Sequence, residues 1–302
     1  MGADGGNRRQ VVMTELLKNE VKPFVSIITV CYNAEAEIKK TITSVLAQEY
    51  TDFEYIIKDG GSTDGTLSIA ESFKECFEKK GISYRIVSEK DGGIYEAMNI
   101  AVKLSEGTWI NFMNAGDCFY SASTLADIFK KSNYVSDGIL FGDAIECEYG
   151  HYYRFRKSLK DIESRMPFSH QSAFVNRELL IRYPFKTEFR IGADYDFLLS
   201  MHQKGYHFKD TGVIICIVSK TGVSSVRLYD TFTETIRIRE AHGIEPPSER
   251  KLKRMLREKE IKQFVMDRFP DAVKKKIRQV QWIIRGQNLA VELPEWESRN
   301  TV

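Results

Sequence analysis

The apolar run Trp109 to Met113 ends on Asn114-Ala115-Gly116-Asp117, four small or oxygen-bearing residues. Asn, Gly and Asp are ordinary turn formers, so Asp117 reads either as a turn residue or as a carboxylate presented at a strand end. Two more turns combine acids with glycine. Asp59-Gly60-Gly61-Ser62-Thr63-Asp64-Gly65-Thr66 joins a strand-like run to a helix-like one, and its glycines permit positive φ and close approach of a ligand to the backbone. Asp59 can accept hydrogen bonds from a base or ribose; Asp59 and Asp64 can equally form an Asx turn or a helix cap. Asp91-Gly92-Gly93-Ile94-Tyr95-Glu96-Ala97-Met98-Asn99 repeats the order acid, two glycines, helix. Helix amides after such turns suit phosphate groups. Neither stretch is G-x-G-x-x-G, and none follows the first strand, which argues against a dinucleotide-binding dehydrogenase.

These turns need elements to hold them. Phe24 to Val30, Phe53 to Ile57, Tyr84 to Ser88 and Trp109 to Met113 have the composition of buried strands. Helices are predicted between them over Ala34 to Gln48, Leu67 to Phe77 and Ile94 to Leu104. Alternating strands and helices imply a mostly parallel sheet with right-handed crossovers. Ligands of such sheets bind beyond the carboxyl ends of the strands, so Tyr32, Asp59 and Asp91 are expected beside Asp117. After about residue 122 the pattern changes. Ile139 to Tyr153 alternates and is aromatic, which predicts antiparallel strands, with further strands at Gln171 to Val175 and Val213 to Val218. From about Tyr229 the chain reads as helix. Between Arg250 and Arg285 it carries 13 Lys and Arg against 4 acidic residues, with Leu252, Met255, Leu256, Ile261, Phe264 and Val265 interleaved. That pattern fits a solvated helical hairpin or a cationic foot on an anionic membrane.

The 302 residues are enough for one large α/β domain or two smaller ones. A net charge of +2 gives no global claim on nucleic acid. The five cysteines are scattered without a C-x-x-C pair, which predicts reduced thiols rather than a zinc site or disulfide framework. No apolar run approaches the roughly 20 residues of a bilayer span, and the polar first twenty residues lack a signal-peptide core. The expectation is a cytoplasmic protein, peripheral at most on the inner face of the plasma membrane.

The order of motifs resembles the inverting family-2 glycosyltransferases of the GT-A fold, of the kind that build bacterial surface polysaccharides. The matching residues are VSIITVCYNAEAEIKKTITSVLAQEYTDFEYIIKDGGSTDGT, EKDGGIYEAMNIAVKLSEGTWINFMNAGD, HQSAFVNRELL and IGADYDFLLS. The resemblance implies an α/β, Rossmann-like, mixed but mainly parallel sheet flanked by helices, with a C-terminal helical extension. It also implies a tail (1–22), a nucleotide-sugar half (23–122), an acceptor half of the same catalytic domain (123–228) and a basic helical region (229–302). By the same resemblance Val30, Tyr32, Asp59, Asp91, Asn99 and Asn114 would contact a nucleotide sugar, most simply a UDP-sugar. Asn114 to Asp117 stands where the family carries D-x-D, so Asp117 would hold Mg2+ or Mn2+ on the diphosphate. It is the sole carboxylate there, since Asn114 and Gly116 replace the usual acids.

Asp194, in Gly192-Ala193-Asp194-Tyr195-Asp196, matches the family's general base, with Ala193 in place of a usual Glu; Asp196 is its competitor. His170, Gln171 and Lys220 would border the acceptor, a saccharide or lipid-linked saccharide, or the diphosphate. Thr221 to Ser225 resembles a closing loop, with Lys220 and Arg227 near phosphate. Two other readings stand beside this one: a nucleotidyltransferase, which Cys31-Tyr32-Asn33-Ala34-Glu35 argues against for lack of a basic glycine-rich loop, and a non-catalytic nucleotide- or glycan-binding scaffold.

Overall fold

Seven consecutive buried residues, Val25–Cys31, form β1, as expected of a strand covered on both faces. The computed structural model describes residues 22–130, 134, 138–149, 151–155, 158–220, 222–270 and 272–276. β1 pairs in parallel with β2 (Phe53–Asp59) and β4 (Trp109–Phe112), and β2 pairs in parallel with β3 (Ser83–Ser88). The crossovers are α1 (Ile38–Leu46), α2 (Thr66–Glu71), α3 (Lys74–Lys79) and α4 (Ile94–Leu104). The helix expected from Leu67 to Phe77 is therefore two short helices.

Register creates the site. Cys31 lies opposite Asp59, and Asp59 opposite Ser88, so three strands end level. β4 stops earlier, with Phe112 opposite Ile28. The shortfall brings the turn after β4 beside the end of β1, where the strand order β3-β2-β1-β4 changes direction. Open α/β sheets hold ligands at such a switch point.

The second half extends the same sheet through β5 (Cys118–Phe119), β6 (Gly138–Glu148), β7 (His151–Phe155), β8 (Ala173–Asn176) and β9 (His207–Ser219). The order is β3-β2-β1-β4-β8-β6-β9-β5, with β7 alongside β6. β8 and β7 pair antiparallel with β6 as expected. β9 does not: it runs parallel to β6 and antiparallel only to β5. Strand direction depends on the route of the connection, which alternation alone does not encode. The helices of this half are α5 (Thr124–Phe129), α6 (Arg177–Arg182), α7 (Ala193–Gln203), α8 (Val223–Val226), α9 (Leu228–Ala241) and α10 (Glu249–Arg268).

Apolar side chains fill both faces of the sheet. Ile38, Ile42, Val45, Phe77 and Leu125 pack with Val25, Ile27 and Tyr55 on one side. Met98, Val102, Leu179, Leu198 and Ile238 pack with Ile28, Val30 and Ile110 on the other. Among the described residues no helix is long and apolar enough to cross a membrane.

Candidate functional site

The turn after β4 is held from below. The Met113 amide donates to Ile28 O (2.9 Å), which continues the sheet one residue past β4, and the Asp117 amide closes on Asn114 O (3.0 Å). Gly116 sits at φ +95°, a left-handed conformation that glycine adopts without strain. The Thr41 hydroxyl of α1 donates to Asp117 O (2.7 Å) and accepts from the Gly116 amide (3.0 Å). The Asp117 carboxylate, 5% exposed, accepts from Gln171 Nε2 (2.6 Å) and from the Ser219 amide (2.9 Å). Burial pushes its pKa up to about 6 against the pull of those two donors. Both readings of Asp117 thus meet in one residue: it closes a turn, and its carboxylate faces the 170–172 segment.

That segment is a short 3-10 turn, His170–Ser172, anchored by Asn111 within β4. The Asn111 amide donates to Gln171 O (2.9 Å) and Ala173 O (2.8 Å). His170 lies between two candidate residues: its Nε2 is 3.0 Å from Asn114 Nδ2 and its Nδ1 is 3.0 Å from Asp194 Oδ2. Asp194, in the first turn of α7, also accepts from the Tyr95 hydroxyl (2.9 Å) and the Tyr195 amide (2.9 Å). Burial alone would raise the Asp194 pKa. The hydrogen bond and charge of His170, with Tyr95 and the Tyr195 amide, outweigh it and hold the carboxyl below its ordinary value. A line Asn114–His170–Asp194–Tyr95 therefore runs from the end of β4 to α7, and Gln171 ties it to Asp117.

Asp196 stands apart from this line. It is buried and ion-paired with His242 (2.8 Å) and Lys186 (3.1 Å), which ties α7 to the end of α9. Two residues apart on a helix, the pair faces opposite ways.

At the level ends of β1 to β3, Tyr32 is exposed (64%). Gly60 packs between Tyr32 and Asp91: a Cβ there would lie 3.2 Å from Asp91 Oδ2 and 3.5 Å from Tyr32 Cβ. Asp59 points inward. It is fully buried and accepts from the amides of Gly61 (3.0 Å) and Ser62 (2.9 Å), the Ser62 hydroxyl and the Ser88 hydroxyl (2.7 Å). Burial opposes its ionisation, but these donors win and lower its pKa. Asp59 is the Asx-turn residue of its loop in this conformation, with its oxygens already occupied. Asp64 likewise accepts from the Thr66 amide (3.0 Å).

Asn99 is spent on the Phe185 backbone, donating at 2.8 Å and accepting at 3.0 Å, and does not join the cluster. Lys220 pairs with Glu146 (3.0 Å) and Arg227 with Asp230 (2.7 Å). Thr221 of the expected closing loop lies outside the described residues. Val30 is buried in β1. Tyr32, Asp59 and Asp91 are not among the hydrogen-bond partners of the Asp117 carboxylate, which come from β9 and the 170–172 turn.

Sequence reading missed Lys58. It is fully buried in β2, and its ammonium donates to Asp59 O (2.8 Å), Glu89 O (2.7 Å) and Asp91 Oδ2 (2.9 Å). Its signal was a lone cation within YIIKD, next to the first acidic turn. It missed Glu37 too, whose Oε2 would be 3.0 Å from a Cβ at Gly116.

Among the described residues no three His, Cys, Asp or Glu side chains converge as a metal cluster. The turn still offers hard oxygens: Asn114 Oδ1 is buried without a hydrogen-bond partner, and Asp117 keeps a lone pair on each oxygen. That set fits a cation that brings its remaining ligands with a diphosphate and water.

A family model described as "Glycosyl transferase family 2" matches residues 26–197. The "PGL/p-HBAD biosynthesis glycosyltransferase" of Mycobacterium bovis (strain BCG / Pasteur 1173P2) is 34% identical over 178 residues, 58% of this chain and 68% of that protein. The "Putative teichuronic acid biosynthesis glycosyltransferase TuaG" of Bacillus subtilis (strain 168) is 36% identical over 96 residues, 32% of this chain and 37% of that one. Among solved structures, S. aureus TarS 1-349 in complex with UDP superposes with a TM-score of 0.55 at 19% identity, covering 72% of this chain and 64% of that one. The mannosyltransferase PcManGT from Pyrobaculum calidifontis, in complex with GDP-Man and Mn2+, gives 0.54 at 19%, covering 92% and 88%. At such identities the likeness concerns the fold.

Proposed function

The chain belongs to glycosyl transferase family 2 and is a glycosyltransferase; from that premise we propose that it moves a sugar, with inversion, from a nucleoside-diphosphate sugar to a hydroxyl of a saccharide or lipid-linked saccharide. The observation that carries the reading is the unbroken contact line from Asn114 through His170 to Asp194. It supports the reading because it joins the residue proposed to face the diphosphate to the carboxylate proposed as base.

Tyr32 presents its ring to the base, and the loop amides ordered by Asp59 and Asp91 line the path to the phosphates. Asn114 Oδ1 and Asp117 would hold Mg2+ or Mn2+. When bound, the cation neutralises charge developing on the leaving diphosphate. The acceptor hydroxyl attacks the anomeric carbon as the bond to the diphosphate oxygen breaks, and its proton passes to the Asp194 carboxylate. His170 and Tyr95 fix that carboxylate's orientation and keep it ionised. The UDP and GDP-mannose in the solved relatives support a nucleotide-sugar donor, and the names of the curated relatives support a cell-surface glycan as product.

Nucleotide release from a panel of UDP- and GDP-sugars, with and without Mg2+ or Mn2+, tests this. At least one donor should turn over with metal, and Asp117→Asn should remove the metal stimulation. The folded state raises the Asp117 pKa above its unfolded value, so ionisation costs stability as pH rises from about 4 through 6. Lack of turnover with every nucleotide sugar would instead favour the non-catalytic scaffold.

The proposed membrane contact would lie on α10, where Ile261 (56% exposed) and Phe264 (62%) stand among the exposed Arg254, Arg257, Lys262 and Arg268, with Glu258, Glu260 and Asp267 exposed as well. Such a face complements an anionic lipid surface. The protein should float with vesicles rich in phosphatidylglycerol but not with phosphatidylcholine alone, and Ile261→Glu/Phe264→Glu should abolish flotation. Equal flotation of the double variant ends the idea.

A further inference from the structure

Three successive backbone amides at the entrance to α7 converge on one carboxylate that the reaction scheme does not use. Arg190 N donates to Glu234 Oε1 (2.7 Å), while Ile191 N (2.6 Å) and Gly192 N (2.7 Å) donate to Glu234 Oε2. Glu234 comes from the middle of α9. The N-cap of α7 is Gly192, which has no side chain with which to satisfy the first-turn amides. Glu234 instead binds, from a neighbouring helix, the three amides that lead into the first turn, and these amides form an anion-binding nest around it. The approach is close, since a Cβ on Gly192 would lie 2.9 Å from Ile238 Cδ1.

The nest lies one peptide from the chemistry. The carbonyl of Ile191, whose own amide is held by Glu234, accepts from the Tyr95 hydroxyl at 2.6 Å. The same hydroxyl lies 2.9 Å from Asp194 Oδ1. Fixing the 190–192 peptides thus fixes the Tyr95 hydroxyl and the first turn of α7, and with them the carboxylate that faces His170.

We propose that Glu234 is a positioning residue for Asp194. It acts through the 190–192 amides and the Tyr95 hydroxyl, without taking a proton itself. The inference rests on the reading of Asp194 as base. The Asp196–His242 ion pair fastens α7 to the end of α9 independently, so Glu234→Gln should stay folded.

The test is a double-mutant cycle with Tyr95→Phe, together with NMR of the His170 ring. Glu234→Gln should lower kcat roughly 10- to 100-fold, the scale on which small misplacements of a catalytic group act. KM for the nucleotide sugar should stay within about twofold. The double variant should be no worse than the poorer single variant to within about twofold, because both act on one contact. The His170 ring resonances should move in Glu234→Gln as they do in Asp194→Asn. Wild-type kcat in Glu234→Gln, or additive losses with unmoved His170 resonances, would overturn the proposal. If the wild-type chain transfers sugar from no donor, the reading of Asp194 as base falls, yet the His170 resonances still decide whether Glu234 positions that carboxylate.

Discussion

Asp194→Asn is expected to lower kcat for sugar transfer by about 10²–10⁴, the usual contribution of a positioned general base, while nucleotide affinity stays within a few fold. The asparagine keeps the shape and still accepts from Tyr95, but it removes both the negative charge beside His170 and the lone pairs that receive the acceptor's proton. Calorimetry with the nucleoside diphosphate and metal separates binding from chemistry. Since His170, Tyr95 and the Tyr195 amide depress the Asp194 pKa despite its burial, the carboxylate is ionised throughout the neutral range. Its protonation should therefore produce no fall in rate between about pH 5 and 8. A variant within about fivefold of wild type would move the base elsewhere, and Asp196 is a poor substitute because His242 and Lys186 already hold it.

The second large effect is on stability. Lys58→Met should cost about 3–5 kcal/mol, the range for breaking a buried ion pair from one side. The ammonium is fully buried and satisfies two carbonyls as well as Asp91. Methionine fills the volume but leaves the Asp91 carboxylate, 9% exposed, without its counter-ion. Adding Asp91→Asn should recover part of the loss, because the uncompensated charge is then gone. Urea unfolding followed by tryptophan fluorescence measures both. A single variant within about 1 kcal/mol of wild type would mean that Asp91 moves out to water when Lys58 is removed. In that event the β2 and β3 exits are not locked together.

The parallel half of the sheet was readable because its strands are short β-rich runs, three of them followed by Asp- and Gly-bearing turns, and α4 was read over the residues it occupies. The direction of β9 was not readable. It is set by packing β6 and β9 side by side, 69 residues apart at their first pair, Gly138 and His207. At the site, motif order marked His170, Gln171, Asn114 and Asp194, and these do meet. Motif order could not say which oxygens would be spent on the fold. Asp59 and Asn99 bind backbone, and Asp196 binds a histidine beyond the family match. Thr41, Asn111 and Glu234 went unseen for a related reason. Each holds the site through backbone groups at least 42 residues away, and a backbone amide or carbonyl leaves no trace in residue type.

The bond between Asp117 and the Ser219 amide spans 102 residues. A ribosome adding about 5–20 residues per second emits the carboxylate roughly 5–20 s before its partner exists. During that interval the Asp117 carboxylate lacks its β9 donor, and until β8 emerges about midway the edge of β4 is open to wrong pairing. Nascent chains released before β9 should therefore be captured by chaperones or aggregate, and splitting the gene near residue 122 should yield two insoluble fragments rather than a binding half and a catalytic half.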